Sequence, residues 1–234
     1  PAARLVGVFV AVVLCLTCLV PLTTNWENND QSDFNLVAYY TRDTLRYLDE
    51  NAFLFSGRWD EVSSPALYYQ YVEGFRPDVL VINVPSLTST VLLRKLERQA
   101  PDLAEACREE MESLVEITHL AELGRPYDVE EARYRFAVLK RALIEAAVEL
   151  RPTYATSNLF RAAFLQGFEL HTEGLVTRVC TDDAYRPFPI PEFEGPGITM
   201  SQVRNEREHE IWFEYGRMLR NRARYLNRHG RAME

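Results

Sequence analysis

Lysine is nearly missing from this chain: of its 26 basic residues only Lys95 and Lys140 are lysines. So strong an arginine bias follows the codon usage of a GC-rich genome more than any particular chemistry. Cysteine is scarce as well, with four in 234 residues, and glycine and proline number only 10 and 12. Those counts exclude a disulfide scaffold, a collagen-like chain and a wholly disordered one. The histidines are His119, His171, His209 and His229, no two of them four residues apart, and no H-E-x-x-H occurs. No metal site and no cofactor is therefore expected. G-x-G-x-x-G, G-x-x-x-x-G-K-[ST] and G-x-S-x-G are absent, so nucleotide binding and a serine nucleophile have no motif behind them, and no catalytic residue is expected. Positive charge is short overall, the net being −8, but it is unevenly placed: residues 1–200 carry 18 basic and 29 acidic groups, and 201–234 carry 8 and 5. An acidic body with a short basic tail is a poor nucleic-acid binder.

What is present is one long apolar run. Residues 5–22 contain 18 residues without a charge, which make about 27 Å of helix, nearly the hydrocarbon thickness of a bilayer. Arg4 precedes the run, and Trp26, Glu27 and Asp30 follow it. That polarity predicts the N-terminus in the cytoplasm and the rest of the chain in the periplasm of a bacterial inner membrane. A cleavable signal peptide is the competing reading; the length of the run and the lack of an A-x-A site favour a retained anchor. The chain opens on Pro1, so processing or further residues ahead of it are expected. Cys15 and Cys18 lie inside the apolar run, where a thiol lacks the polar surroundings that activate it, and read as packing residues. Cys107 and Cys180 are left as a possible pair.

Beyond the span, Asp33 reads as the cap of an amphipathic helix over 33–49, followed by a strand at 52–55, a helix at 65–73 and a strand at 78–84. Two continuous apolar strands joined by a helix predict a parallel βαβ unit. Helices follow over 88–99, 102–122 and 128–150, then a strand at 153–156, a short helix at 158–166 and a hairpin over 169–180. Residues 186–200, with four prolines between 186 and 197, read as an extended strap. Ser201 is expected to cap a final helix reaching about residue 229. The expectation is thus an α/β protein with a single N-terminal transmembrane helix, a small, mostly parallel sheet flanked by helices, and a long C-terminal helix. Its segments are an anchor at 1–26, a periplasmic domain at 27–185, the strap at 186–200 and the amphipathic helix at 201–234.

Several fragments carry a resemblance. Asn29-Asp30-Gln31-Ser32, Asn51-Ala52-Phe53-Leu54-Phe55, and Val72-Glu73-Gly74 leading to Arg76-Pro77-Asp78-Val79 are joined by Arg151-Pro152-Thr153-Tyr154 and Glu173-Gly174-Leu175-Val176. In this order they resemble the end of the multi-pass membrane proteins similar to transmembrane protein O-mannosyltransferases, which have a glycosyltransferase-C architecture. The similarity covers about residues 20–180, from the last membrane helix of such proteins into the extracytoplasmic domain behind it. It implies that the sugar-transfer site, which belongs to the multi-pass part, has no counterpart here. The family's G-D-x-D-like loop reads Gly57-Arg58-Trp59-Asp60, with arginine where the first acid is expected. The end of the chain, Leu219 through Ala223 and Leu226 to Gly230-Arg231, also resembles the first helix of a tetratricopeptide repeat.

Two groups of residues stand as candidates. The loop at 56–63 follows a strand and precedes a helix, the usual ligand position in parallel sheets, so Ser56, Gly57, Asp60 and Ser63 are candidate ligand contacts, with a capped turn as the plainer reading. Asp182-Asp183 reads as a turn, with calcium the alternative. On the last helix Ile211, Trp212, Tyr215, Met218, Leu219 and Leu226 form an apolar stripe beside Arg220 and Arg224. A stripe of that size needs cover, from this domain or from another membrane-protein subunit. The function expected is a non-catalytic accessory or scaffold subunit, held in the bilayer by residues 5–22, that stabilises a larger membrane complex from its periplasmic side. The alternative is a fragment or split subunit of a membrane glycosyltransferase with an acceptor-binding domain.

Overall fold

The computed structural model describes residues 2–29, 35–189, 191–194, 203 and 206–231. The chain divides into two compact units, residues 1–35 and 36–234, so the strap and the last helix belong with the sheet. The caps expected at Asp33 and Ser201, and strap residues 190 and 195–200, lie outside the described residues.

The first unit is one helix, α1 (Ala2–Asn29). Its stretch Val6–Trp26, 21 residues, is long and apolar enough to cross a membrane. Three polar side chains described within it bond to their own helix: Thr17 Oγ1 donates to Leu14 O and Thr24 Oγ1 to Val20 O, each at 2.8 Å. Asn25 Nδ2 donates to the carbonyl of Pro21 at 2.8 Å. Internal satisfaction of this kind is what a hydrocarbon environment demands.

The second unit is an α/β domain. Along the chain come α2 (Leu36–Arg46), β1 (Phe53–Ser56), α3 (Ser64–Tyr71), β2 (Leu80–Asn83), α4 (Thr90–Gln99), α5 (Pro101–Ala106), α6 (Arg108–Glu122), α7 (Val129–Leu150), β3 (Thr153–Thr156), β4 (Glu169–Glu173), β5 (Val176–Cys180) and α8 (Glu206–Arg228). The sheet order is β2-β1-β3-β5-β4. β1 is parallel to both neighbours, whereas β5 runs antiparallel to β3 and β4. The sheet is therefore mixed: the expected βαβ unit makes its parallel half, and the 169–180 hairpin adds an antiparallel half. Side chains of β1 alternate between two cores, as the period of a strand requires. Phe53 and Phe55 pack with α4 to α7, and Leu54 packs with α2, α3 and α8. Burial on both faces explains why β1 reads as an unbroken apolar run.

Two local expectations need correction. The helix expected over 158–166 is instead two short 3-10 turns, Ser157–Leu159 and Ala163–Leu165, with Phe164 and Leu165 packed into the α7-side core. The helix expected over 102–122 breaks at Cys107, whose backbone leaves helical geometry at φ −121° and ψ 24°. Cys107 and Cys180 are both buried and free, so they do not pair. Burial pushes the Cys107 thiol up to about 11.

The motif Arg76-Pro77-Asp78 has a clear structural role. Arg76 Nη1 donates to the carbonyls of Leu45 at 2.8 Å and Leu48 at 2.7 Å, and Nη2 donates to Asp49 O at 2.8 Å. These carbonyls lie at and beyond the end of α2, where the helix itself offers few donors; Leu45 O has besides only Leu48 N at 3.3 Å. Asp78 holds the guanidinium from behind, Oδ1 accepting from Nε at 2.9 Å and Oδ2 from Nη2 at 2.8 Å, and it also accepts from Asn51 N at 3.0 Å. The Arg76 hydrogen bond leads the causes that hold the Asp78 carboxyl at about 2, below its ordinary 3.8. The unfolded chain therefore takes up this proton at higher pH than the folded one. Stability from Asp78 is complete above about pH 4 and is lost as pH falls toward 2, a change of about 1–2 kcal/mol after allowance for solvent screening. Urea midpoints of the full chain in detergent at about pH 5 and about pH 2.5 should fall less for Asp78→Asn than for the parent. An equal fall in the two proteins would remove Asp78 from the acid response.

Candidate functional site

Parallel α/β sheets take ligands at the carboxyl ends of adjacent strands whose connections diverge. Here β1 leads toward β2 while β3, on its other side, leads away to the hairpin. The loops after β1 and β3 meet closely: a Cβ on Gly57 would lie 2.4 Å from Asn158 Nδ2 and 2.8 Å from Leu159 Cδ2. A side chain there would have to push the ends of Asn158 and Leu159 aside. Gly57 N donates to Thr156 Oγ1 at 3.1 Å, which fixes the two strand ends together.

The four loop candidates are engaged within the domain. Ser56 Oγ is buried, accepts from Arg58 N at 3.1 Å and donates to Arg58 O at 2.9 Å. Residues Trp59–Ser63 form one π-helical turn that runs directly into α3. Ser63 Oγ donates to Arg58 O at 3.1 Å and accepts from Asn83 Nδ2 at 3.1 Å. Asp60 pairs at 2.7 Å with Arg207 of α8 rather than with backbone amides.

The central residue of the loop is Arg58, which the sequence marks only as a departure from an acidic pattern. Its side chain is 13% exposed and pairs with Glu214 at 2.9 Å and Glu210 at 3.1 Å, both on α8. Glu214 has a side chain only 2% exposed, and it also takes Arg217 at 2.9 Å and the hydroxyl of Ser157, from the loop after β3. A carboxylate of the chain's own last helix thus sits where the β1 and β3 loops converge, fixed by two arginines and a serine. Tyr40 on α2 is wholly buried beside this group and its hydroxyl has no hydrogen-bond partner. Burial, then the Glu214 charge, raises the Tyr40 pKa and keeps the phenol neutral.

No family model, curated protein or solved structure matches this chain.

On the α7 side of the same strand ends a cleft of about 660 Å³ remains open, lined by Gly57, Val84, Phe136, Lys140, Asn158 and Phe164 among others. Lys140 Nζ lies 4.2 Å from the Phe136 ring centroid and 5.9 Å from that of Phe164. Burial lowers its pKa.

The α8 stripe divides in two. Ile211, Tyr215 and Met218 are buried in the core beside α2 and β1, and Tyr215 OH donates to buried Asp43 at 2.9 Å. Trp212 and Leu226 are half-buried, while Leu219, Arg220 and Arg224 face outward, as does Phe213. The cover that the stripe needs comes largely from its own domain. Sequence reasoning missed Arg58, Ser157, Tyr40 and Glu214 as a group because 156 positions separate Arg58 from Glu214. The one available signal was an arginine standing in a loop where the resembling family has an acid.

Proposed function

We propose that this chain is a non-catalytic, membrane-anchored accessory or scaffold subunit, stabilising a larger membrane complex from the periplasmic side of a bacterial inner membrane. The observation that carries the reading is Glu214 at the strand ends. The position a ligand takes in parallel α/β sheets is used here to hold a helix, so the β1 loop acts as a latch. Helix α1, long and apolar enough to span a bilayer, supports the anchor. The outward flank of α8, with Phe213 and Leu219 beside Arg220 and Arg224, supports contact with neighbouring subunits. A respiratory, photosynthetic or envelope complex offers such neighbours.

Purification in mild detergent followed by native mass spectrometry tests the proposal. The expected result is a defined complex with integral membrane proteins, lost when Phe213 and Leu219 are replaced by serine. A chain that runs alone as a monomer sinks the idea. The open cleft favours one second reading, an acceptor-binding subunit of a membrane glycosyltransferase, as the resemblance implies. That reading expects a multi-pass transferase in the same complex and weaker acceptor binding on Lys140→Ala.

A further inference from the structure

A second group of side chains lies away from the latch, where the hairpin meets the last turn of α8. Glu169 and His171 are two apart on β4 and so share a face of the strand. Asp183 follows β5, and His229 follows the end of α8. The ligating atoms of Glu169, His171 and Asp183 all lie within 4.8 Å of one another. Asp183 Oδ1 is 3.8 Å from His171 Nε2 and 3.6 Å from His229 Nε2.

The two imidazoles are the informative part. His171 has a side chain 2% exposed, its Nε2 is buried and aimed at Asp183, and that atom has no hydrogen-bond partner; the same is true of the Nε2 of His229, whose side chain is 13% exposed. A buried ring nitrogen left unpaired is costly whichever tautomer it holds. Spacings of 3.6–3.8 Å are too long for hydrogen bonds, yet they are close to the edge of about 3.3–3.4 Å that a tetrahedron with zinc–nitrogen bonds of 2.0–2.1 Å has. Behind the ring, His171 Nδ1 lies 3.9 Å from Cys180 Sγ, which gives the imidazole an outer contact of the sort that orients metal-bound histidines. Tyr225 closes the site from above, its ring centroid 4.9 Å from that of His171 and 4.6 Å from that of His229.

From this cluster we infer that Glu169, His171 and Asp183, whose ligating atoms already lie within 4.8 Å of one another, form a binding site for a divalent transition metal of the zinc class, with His229, 3.6 Å from Asp183, moving in as the fourth donor when the ion binds. Nitrogen and carboxylate donors suit zinc among such ions. Its consequence is structural: the metal clips the β4–β5 hairpin to the end of α8. Neighbouring cations oppose it, Arg228 most directly. Arg228 bonds Asp183 Oδ2 at 2.8 Å and Glu169 Oε2 at 3.1 Å, so a cation already occupies the outer side of both carboxylates. Arg228 is 55% exposed and turns toward solvent when the metal enters, while Asp183 Oδ1 and both imidazoles are not engaged by it.

The test is zinc titration of the full chain in detergent by calorimetry, on a background of Cys15→Ser and Cys18→Ser so that these thiols do not compete for the ion. One zinc per chain is expected, with affinity reduced about tenfold or more by Asp183→Asn and by His229→Gln. Arg228→Ala is expected to tighten zinc binding, because its competing charge is gone. Bound zinc should also raise the melting temperature of the parent and leave that of Asp183→Asn unchanged. His171→Ala opens a core position, so its loss of zinc counts only where circular dichroism shows the fold intact. Absence of stoichiometric zinc binding overturns the inference, as does binding that Asp183→Asn and His229→Gln both leave unchanged.

Discussion

Replacing Arg58 by alanine should release α8 from the domain at a cost of about 3–5 kcal/mol, the range for removing one partner of a buried ion pair. The cost arises at Glu214 more than at Arg58. Glu214 keeps Ser157 and half-exposed Arg217, but it loses the better shielded of its two cations at a position where its side chain is 2% exposed. The carboxylate must then stay poorly solvated or draw the helix outward to reach water. Against a typical domain stability of 5–15 kcal/mol the first outcome is severe, so the second is favoured locally. Hydrogen exchange of the full chain in detergent should show faster exchange over 206–228 in Arg58→Ala, with α4 to α7 protected as before. Glu214→Gln added to Arg58→Ala should restore much of the loss, because the stranded charge is removed while Ser157 keeps its partner. Unchanged exchange over α8 in the single variant would mean that Ile211, Tyr215 and Met218 hold the helix by themselves, and that the latch contributes little.

The contrast between Arg58 and the strands shows what a sequence exposes. β1 and β2 were legible because each is a short apolar segment bounded by turn residues, a property written in consecutive positions. α7 was legible for the same reason: Asp128 caps it, accepting from the backbone N–H of Glu130 and Glu131. The 158–166 segment was misread because Leu159, Ala162, Ala163 and Phe164 have helical spacing, yet their burial is satisfied by two separate turns against α7. The break at Cys107 has no glycine or proline to mark it. The antiparallel half of the sheet depends on which strand the hairpin pairs with, and nothing within residues 169–180 specifies β3 as the neighbour. Both functional clusters are harder still. Glu214 comes to Arg58, and His229 to Asp183, through the path of α8 back over the sheet, so no local spacing announces either.

Arg76→Ala should lower stability by about 3 kcal/mol, the second large effect. Arg76 was singled out because Gly74-Phe75-Arg76-Pro77-Asp78 carries part of the family resemblance, a setting that by itself suggests function. Its geometry argues for architecture instead. One guanidinium closes the end of α2 by reaching Leu45, Leu48 and Asp49 carbonyls, and it does so from a residue held at φ +49°, a left-handed conformation that non-glycine residues adopt at a cost. That strain is tolerated because the planar fork, backed by Asp78, satisfies several acceptors at once. Loss of the side chain takes the guanidinium donors from the Leu45, Leu48 and Asp49 carbonyls, leaving Leu45 O only the long bond from Leu48 N at 3.3 Å, and leaves Asp78 without its cation, while α2 carries Tyr40 and Asp43 of the core that receives α8. The damage therefore spreads from α2 to the latch. Arg76→Lys should recover little, since a single ammonium cannot span the set that the fork spans. Urea unfolding of the full chain gives the measurement. A loss below about 0.5 kcal/mol for Arg76→Ala would show that water replaces the guanidinium at little cost, and would remove the structural role given to the motif.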